Sequence, residues 1–234
     1  MIEVRKSAER GHAEHGWLDS HHTFSFADYY DPKFMGFRSL RVINEDRVAA
    51  GQGFGTHGHR DMEILSYVLQ GKLAHRDSMG HEEFLGPNEI QRMSAGSGIR
   101  HSEFNGSATE PVHFLQIWIE PRTKGDTPSY EQIAFGAEEK QGKFRMLASP
   151  EGGSGIAKIN QDAQVYVAEL KPGEKLAYAL DAKRFGWLHV IRGNAAVNGV
   201  GLTTGDAGII SEEDGLRVVA GGDSATEVLL FDLA

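Results

Sequence analysis

Short apolar segments separated by turn residues are the feature that most limits the folds open to this chain. The segments are rich in Val, Ile, Leu, Tyr and Phe, and their length and branched side chains favour strands over helices. The clearest of them are Glu63–Leu69, Val112–Ile119, Gln164–Leu170, Trp187–Ile191 and Glu227–Leu233. Glycine occurs 29 times and proline only 7 times, which is typical of many tight turns. No long segment has a 3.6-residue apolar period, so the sequence predicts an all-β fold.

A polar stretch divides the chain into two parts of similar strand content. Residues 120–130 read EPRTKGDTPSY and contain two prolines. We therefore predict one domain over residues 1–130 and a second over residues 131–234. The two parts resemble a diverged repeat, because ILSYVLQGKL in the first is similar to WLHVIRGNAAV in the second, with Gly71 matching Gly193. Matched strands and turns predict a duplicated β-barrel or sandwich.

The charge balance excludes some classes of partner. A formal net charge of −9 gives no overall attraction for phosphate backbones or anionic lipids, so direct nucleic-acid binding is not expected. The absence of cysteine excludes disulfides and zinc–thiolate sites. The first residues contain no apolar signal region, and no apolar stretch is long enough to span a bilayer. We expect a cytoplasmic protein without membrane contact.

Two pairs of candidate metal ligands follow glycine-rich turns. His57 and His59 lie two residues apart in GQGFGTHGHRDMEI, and His101 and Glu103 have the same spacing in SAGSGIRHSEF. Residues two apart on a strand face the same side. On neighbouring strands the two pairs would place three imidazoles and a carboxylate around one point, a donor set that suits iron, copper, nickel, zinc or manganese more than calcium. One chance H-x-H pair among 11 histidines is unremarkable, but the second pair favours a metal site.

These segments resemble the cupin superfamily. The first approximates its pattern G-x5-H-x-H-x3-E-x6-G, and the second approximates G-x5-P-x-G-x2-H-x3-N, with Gly96 at the proline position and Ile90 at the first glycine. The similarity to the pirin branch is closer, and it extends to RGHAEHGWLDSHHTFSFADYYDP and FMGFRSLRVINED. One departure is Gly58, where pirins usually have proline. The resemblance implies a bicupin, with two cupin-type (jelly-roll) β-barrels in one chain.

The pirin resemblance also implies a ligand set. It predicts one divalent transition metal in the N-terminal barrel, with Fe²⁺ as the first choice and Cu, Ni, Zn, Mn or Co as alternatives. The family's ligands carry over onto His57, His59, His101 and Glu103. Cupins in general use the glutamate that corresponds to Glu63. If the strand is unbroken, Glu63 also lies on the face of His57 and His59, so residue spacing does not decide between the two carboxylates. We favour Glu103 as ligand and catalytic base, and expect Glu63 to orient an imidazole.

The repeat predicts that the C-terminal barrel binds no metal. Alignment through Gly71 and Gly193, and through a second match of Gly98-Ile99-Arg100 with Gly215-Leu216-Arg217, identifies the counterparts of the four ligands. They are Ala179, Asp181, Val218 and Ala220. None of these has an imidazole, so we expect this barrel to be metal-free and to shape or support the rest of the chain.

The remaining histidines and one aromatic residue have less specific patterns. A surface or structural role is favoured for the histidines of the N-terminal segment over contact with a pocket; these are His12, His15, His21 and His22. We expect His75 and His81 to be exposed, because they lie near a turn. Phe54 precedes the first histidine pair, and both pocket wall and plain packing remain open for it.

Similarity to bacterial pirin-like proteins implies an activity, because several of these act as quercetin 2,3-dioxygenases. The substrates would be a flavonol and dioxygen. The metal would lower the pKa of the 3-hydroxyl, a carboxylate such as Glu103, or Glu63 nearby, would take the proton, and ring opening would release carbon monoxide. Eukaryotic pirins imply an alternative, a redox-sensitive regulatory partner of other proteins, which suits an acidic chain. The same four ligands serve both functions. We expect a monomer, because a two-barrel chain has less need of a partner.

Overall fold

Strands make up 57 % of the chain and helices 3 %, in a computed structural model that describes residues 1–234. In chain order the strands are β1 Ile2–Arg5, β2 Gly11–Glu14, β3 Leu18–His22, β4 Leu40–Val48, β5 Gly53–His59, β6 Glu63–Gln70, β7 Leu73–Asp77, β8 Glu82–Leu85, β9 Glu89–Ser94, β10 Ile99–Asn105, β11 Val112–Ile119, β12 Ser129–Ala134, β13 Arg145–Ser149, β14 Ala157–Lys158, β15 Ala163–Leu170, β16 Lys175–Tyr178, β17 Phe185–Arg192, β18 Asn194–Val197, β19 Val200–Thr203, β20 Ala207–Ile210, β21 Leu216–Gly221 and β22 Thr226–Leu233. Two single-turn 3₁₀ helices span Ser7–Glu9 and Ala137–Glu139. The predicted all-β class is confirmed, and neither helix is long or apolar enough to cross a membrane.

The chain forms two compact units. The first barrel contains Gly11–Phe135 and Glu151–Gln161. The second barrel contains Met1–Arg10, Gly136–Pro150 and Asp162–Ala234. Each is built from one larger and one smaller antiparallel sheet.

The larger sheet of the first barrel has the order β12-β9-β6-β11-β4-β3-β2, and its smaller sheet has the order β5-β10-β7-β8. Apolar side chains from these strands form a buried core, which includes Val48, Val68, Leu73, Val112 and Phe114. The side chains of β10 alternate between buried and exposed along its length, as expected for a strand with one face in a barrel interior.

The second barrel repeats this topology. Six of its strands have the order β1-β20-β17-β22-β15-β13, and its smaller sheet has the order β16-β21-β18-β19. Strand for strand, β16-β21-β18-β19 corresponds to β5-β10-β7-β8, and β20-β17-β22-β15 corresponds to β9-β6-β11-β4. The duplicated β-barrel predicted from the internal repeat is therefore confirmed, as is the bicupin architecture that the resemblance implied.

The compact units divide the chain differently from the predicted boundary after residue 130. Strand β12 crosses that boundary and pairs with β9 of the first barrel. The N-terminal strand β1 pairs with β20 of the second barrel, Ile2 opposite Ile210, and takes the place that β12 has beside β9. A pairing between positions some 200 residues apart leaves no local signal, so composition alone could not reveal it.

The predicted ligand counterparts in the second barrel lie in different surroundings. Val218 and Ala220 are buried in an apolar core with Leu188, Val190 and Leu230. Ala179 and Asp181 follow the end of β16. This apolar interior agrees with the sequence-based expectation, and the absence of metal from the second barrel stays a prediction.

Candidate metal centre

The two ligand pairs lie on neighbouring strands of the smaller sheet in the first barrel. On β10, His101 and Glu103 are buried, whereas Arg100 before them and Phe104 after them are exposed, so the pair shares the inner face. Strand β5 pairs with β10 so that His57 lies opposite His101. The i, i+2 spacing therefore has the structural consequence that the sequence predicted.

A glycine allows β5 to approach β10 closely. A Cβ atom at Gly53 would lie 2.3 Å from the backbone oxygen of Glu103 and 2.5 Å from the Cα atom of Phe104. Any side chain there would push the strands apart. The register between the strands also shifts, because Phe54 rather than Gly55 lies opposite Glu103. This bulge turns Phe54 toward the same side as His57, although the two residues are three apart.

Three imidazoles converge in the barrel interior. The potential ligand atoms of His57, His59 and His101 all lie within 4.8 Å of one another. Their ring centroids are 4.4 to 4.8 Å apart, and the ring planes are inclined by 56° to 83°. Inclined rings allow their in-plane nitrogen lone pairs to meet at one point, which is the arrangement that a bound metal requires.

The unpaired nitrogen atoms in this group fit a metal ion. The Nε2 atoms of His59 and His101 are buried and have no hydrogen-bond partner. The Nδ1 atom of His57 lies 2.8 Å from the carbonyl oxygen of Gly55, to which it donates, and this leaves Nε2 as the lone-pair nitrogen. Buried polar atoms without partners are rare and need an explanation. A divalent cation between the three rings would supply it.

The electrostatics favour neutral imidazoles. Burial and the neighbouring His57 lower the pKa of His59 to about 4. Burial, followed by the neighbouring histidines, lowers the pKa of His101 to about 2. A metal binds only the unprotonated ring. Both side chains are thus held in the form that binds metal.

Glu103 lies beside this group. Its carboxylate oxygen falls within 4.8 Å of ring nitrogens of His75 and His101, in a second cluster that shares His101 with the first. The side-chain amide of Gln116 donates to Oε2 at 2.9 Å, and the hydroxyl of Ser66 lies 3.2 Å from Oε1. Burial raises the pKa of Glu103 to about 7, against the opposing effect of the Ser66 hydrogen bond. The carboxyl group can therefore exchange a proton near neutral pH.

Glu63 points to other partners. Glu63 would share the face of His57 and His59 only on one unbroken strand, but β5 ends at His59 and Glu63 begins β6 after a turn. The Ser94 hydroxyl donates to Oε1 of Glu63 at 2.6 Å. Burial raises the pKa of Glu63, and the Ser94 hydrogen bond and the charge of Arg92 oppose this. Glu63 is absent from both histidine clusters. Among the two candidate carboxylates, the geometry favours Glu103.

The expected exposure of His75 is wrong. The residue is 1 % exposed, because β7 pairs with β10 and places His75 opposite Glu103 on the inner face. Its Nδ1 atom lies 3.5 Å from Nδ1 of His101 and 3.3 Å from Nε2 of Gln91, and its Nε2 atom lies 3.4 Å from Oδ2 of Asp77. Both nitrogens of His75 thus have partners, whereas Nε2 of His101 has none. His75 fits a supporting role better than that of a ligand.

The contacts of His75 determine which nitrogen of His101 is free. If Asp77 accepts the Nε2 proton of His75, then Nδ1 of His75 is an acceptor and Nδ1 of His101 is a donor. The lone pair of His101 then lies on Nε2, toward His57 and His59. Burial opposes ionisation of Asp77, but hydrogen bonds from His81, His75 and the Met79 amide outweigh it and lower its pKa. The carboxylate can therefore hold His75 in the required tautomer.

We predict that replacing His75 with leucine weakens metal binding without removing a ligand. Loss of a hydrogen bond that orients a ligand costs about 10- to 100-fold in metal affinity. Competition for Ni²⁺ between the protein and a coloured chelator measures this directly. The matched control is His81→Leu, because His81 contacts Asp77 from the half-exposed side. An unchanged affinity in His75→Leu, or an equal loss in His81→Leu, would contradict the assigned role.

A cavity of about 460 Å³ opens beside the cluster, within the usual range for small-molecule sites. His57 and Glu103 lie on its wall, so a ligand in the cavity can reach the candidate centre. The apolar part of the wall contains Phe26, Phe54 and Trp118. Phe54, for which two roles were open, is thus a wall residue, and its ring packs edge-on against Trp17.

Three histidines of the N-terminal segment also line the cavity, and two of them have the surface exposure that the sequence favoured. They are His12, His15 and His22, and of these His22 is buried. His12 and His21 form a third group with Asp19, but their rings stack at 4.5 Å and are inclined by only 22°. Nearly parallel rings direct their lone pairs side by side. This partly exposed trio therefore lacks the convergence of the His57 cluster.

The chain matches two family models, pirin over residues 3–119 and the quercetinase C-terminal cupin domain over residues 146–233. It is 53 % identical over 233 residues to a quercetin 2,3-dioxygenase of Escherichia coli strain K12, an alignment that covers 100 % of this chain and 99 % of the relative.

Solved structures give the same relationship. The crystal structure of YhhW from Escherichia coli matches with a TM-score of 0.95 at 52 % identity, covering 100 % of this chain and 98 % of that one. The complex of the bacterial pirin YhhW with nickel(II), also from Escherichia coli, matches with a TM-score of 0.93 at 52 % identity, covering 100 % and 99 % of the two chains. Family models, identity and fold agree along the whole chain, which therefore belongs to the pirin family of bicupin proteins.

Proposed function

We propose that this protein is a metal-dependent quercetin 2,3-dioxygenase whose metal is held by His57, His59, His101 and Glu103. The observation that carries the proposal is the convergence of three imidazoles, two of them with buried unpartnered nitrogens, at the wall of a cavity of about 460 Å³. The naming of the Escherichia coli relative as a quercetin 2,3-dioxygenase supports the substrate.

Iron(II) is our first choice of metal. Three imidazoles and a carboxylate also suit Cu, Ni, Zn, Mn and Co, and a related pirin has been crystallised with nickel(II). We propose one metal per chain, in the first barrel, and none in the second barrel. All four ligands come from the first barrel of a single chain, so the site needs no second copy and we propose that the protein acts as a monomer.

The proposed reaction assigns a proton-transfer role to Glu103. When bound, the metal would supply Lewis acidity that lowers the pKa of the flavonol 3-hydroxyl, together with the redox chemistry that dioxygen requires. Glu103, whose pKa burial raises to about 7, accepts the hydroxyl proton. Gln116 and Ser66 hold the carboxyl group in position throughout. The aromatic side chains of the wall orient the flat substrate and exclude water from the reacting ring.

The experiment is oxygen consumption with quercetin, using protein reconstituted with Fe²⁺ and separately with the other divalent ions. We expect metal-dependent uptake that is absent from a His57→Ala variant. Bound metal without uptake for every ion would contradict the enzyme and favour the alternative inferred from the sequence, a metal-dependent partner of other proteins.

A further inference from the structure

Among the buried polar side chains of the cavity wall that the proposed reaction does not use, two lie on one strand. Asn44 and Asp46 lie two residues apart on β4 and share its inner face. Each is 4 % exposed, and both line the cavity. Gln116, which donates to Glu103, lies opposite Asn44 on the neighbouring strand β11. The polar contacts of Glu103 thus continue onto the next strand of the sheet.

Asn44 has an unsatisfied carboxamide. Its side-chain oxygen is buried and has no hydrogen-bond partner. An unpaired buried amide destabilises the folded state, and such groups in native proteins have a specific reason. Contact with the cavity suggests the reason, since a ligand there could supply the missing partner. A carboxamide offers both donors and an acceptor.

Asp46 has one oxygen that is held by the protein and one that is not. The Ser20 hydroxyl, directly across the β3–β4 pair, donates to Oδ1, and this leaves Oδ2 for a ligand. Burial raises the pKa of Asp46 to about 7; the Ser20 hydrogen bond opposes this, and the nearby charges of Glu45 and Asp19 add to it. Burial of a carboxyl group is unfavourable because it removes the group from water, and a buried carboxyl group in a cavity wall is typical of a binding site.

Other side chains of the cavity wall indicate which class of ligand fits it. Phe26, Phe54 and Trp118 form apolar wall, which suits a flat ring system. The carboxyl group of Asp46 disfavours an anionic substituent beside it. A phenolic hydroxyl both donates and accepts, so it pairs with an amide and with a carboxyl group in either protonation state. A neutral, planar, polyhydroxylated aromatic compound meets all of these conditions.

We propose that Asn44 and Asp46 bind hydroxyl groups of the substrate other than the one that reacts, and so select polyhydroxylated flavonols over less hydroxylated ones. This inference rests on the proposed function, because the metal centre holds the reacting end of the substrate. It assigns the two residues to specificity rather than to the chemical step.

The test compares two flavonols with the same ring skeleton. Quercetin carries several hydroxyl groups, whereas 3-hydroxyflavone keeps only the 3-hydroxyl. Quenching of tryptophan fluorescence, with Trp118 in the cavity wall, reports binding to Zn²⁺-loaded protein without oxygen. A site with buried polar groups rejects a ligand that cannot pair with them, so we expect the wild type to prefer quercetin by about tenfold or more. Asn44→Leu and Asp46→Leu should each reduce that preference to less than about threefold, with 3-hydroxyflavone affinity nearly unchanged.

Two further variants distinguish a loss of substrate recognition from a general loss of folding. Glu45→Gln alters a buried carboxylate on the same strand but away from the cavity, and it should keep the wild-type preference. Asp46→Asn retains a polar side chain and should give an intermediate preference, while thermal melting confirms folding of every variant. Full preference for quercetin in both leucine variants would overturn this inference alone. A wild type that binds neither flavonol would overturn the proposed function as well.

Discussion

Replacement of His101 with alanine should strip the protein of its metal. His101 belongs to both clusters of potential ligands, and its Nε2 atom is one of the two buried imidazole nitrogens that lack a partner. Loss of a supporting residue costs about 10- to 100-fold in affinity, so loss of this ligand should cost more than about 100-fold. Metal analysis after dialysis should therefore find about one ion per wild-type chain and almost none in the variant.

The control for this result is in the second barrel. Asp181 is the predicted counterpart of His59, and Asp181→Asn should keep the full metal content. Melting of the metal-free wild type and of His101→Ala should show that both fold, because the alanine variant loses no apolar core residue. Full occupancy in His101→Ala would contradict the site. Loss of metal in Asp181→Asn would contradict the assignment of the metal to the first barrel.

Replacement of Glu103 with glutamine should abolish most of the catalytic activity. A positioned general base contributes about 10²- to 10⁴-fold to a rate, and the amide cannot accept the hydroxyl proton. We expect kcat for quercetin-dependent oxygen uptake to fall by at least about 100-fold. The three imidazoles should still retain some metal, so activity is measured per bound ion.

Glu63→Gln provides a matched comparison, because both residues are buried glutamates in the first barrel. Glu63 bonds to Ser94 and lies in neither histidine cluster, so its variant should keep kcat within about threefold, as expected for a change outside the reacting groups. The reverse result, a loss in Glu63→Gln and none in Glu103→Gln, would return the site to the general cupin pattern.

The parts of the site that obey local periodicity could be predicted from the sequence. Strand alternation alone places His101 and Glu103 on one face of β10, and the glycine-rich run before His57 indicates the close approach that Gly53 provides. The repeat around Gly71 and Gly193 indicated two related barrels, because equivalent turns require the same residue.

The parts that depend on strand pairing could not be predicted. His75 reads as a turn residue, and only the register of β7 against β10 brings it to His101. The turn after His59 ends the strand, so the even spacing from His57 to Glu63 no longer places Glu63 on the face of the histidines. The bulge opposite Glu103 brings Phe54 into the cavity wall. Each of these features comes from contacts between distant segments, which a one-residue change of register would alter.

We propose that the site formed by His57, His59, His101 and Glu103 cleaves a flavonol ring with dioxygen. The most direct measurement is carbon monoxide released by Fe²⁺-loaded wild-type protein, quantified together with quercetin and oxygen consumed. We expect equal amounts of all three from the wild type, and no carbon monoxide from His101→Ala treated in the same way. Oxidation of quercetin without carbon monoxide, or equal release by the variant, would show that this site does not open the ring.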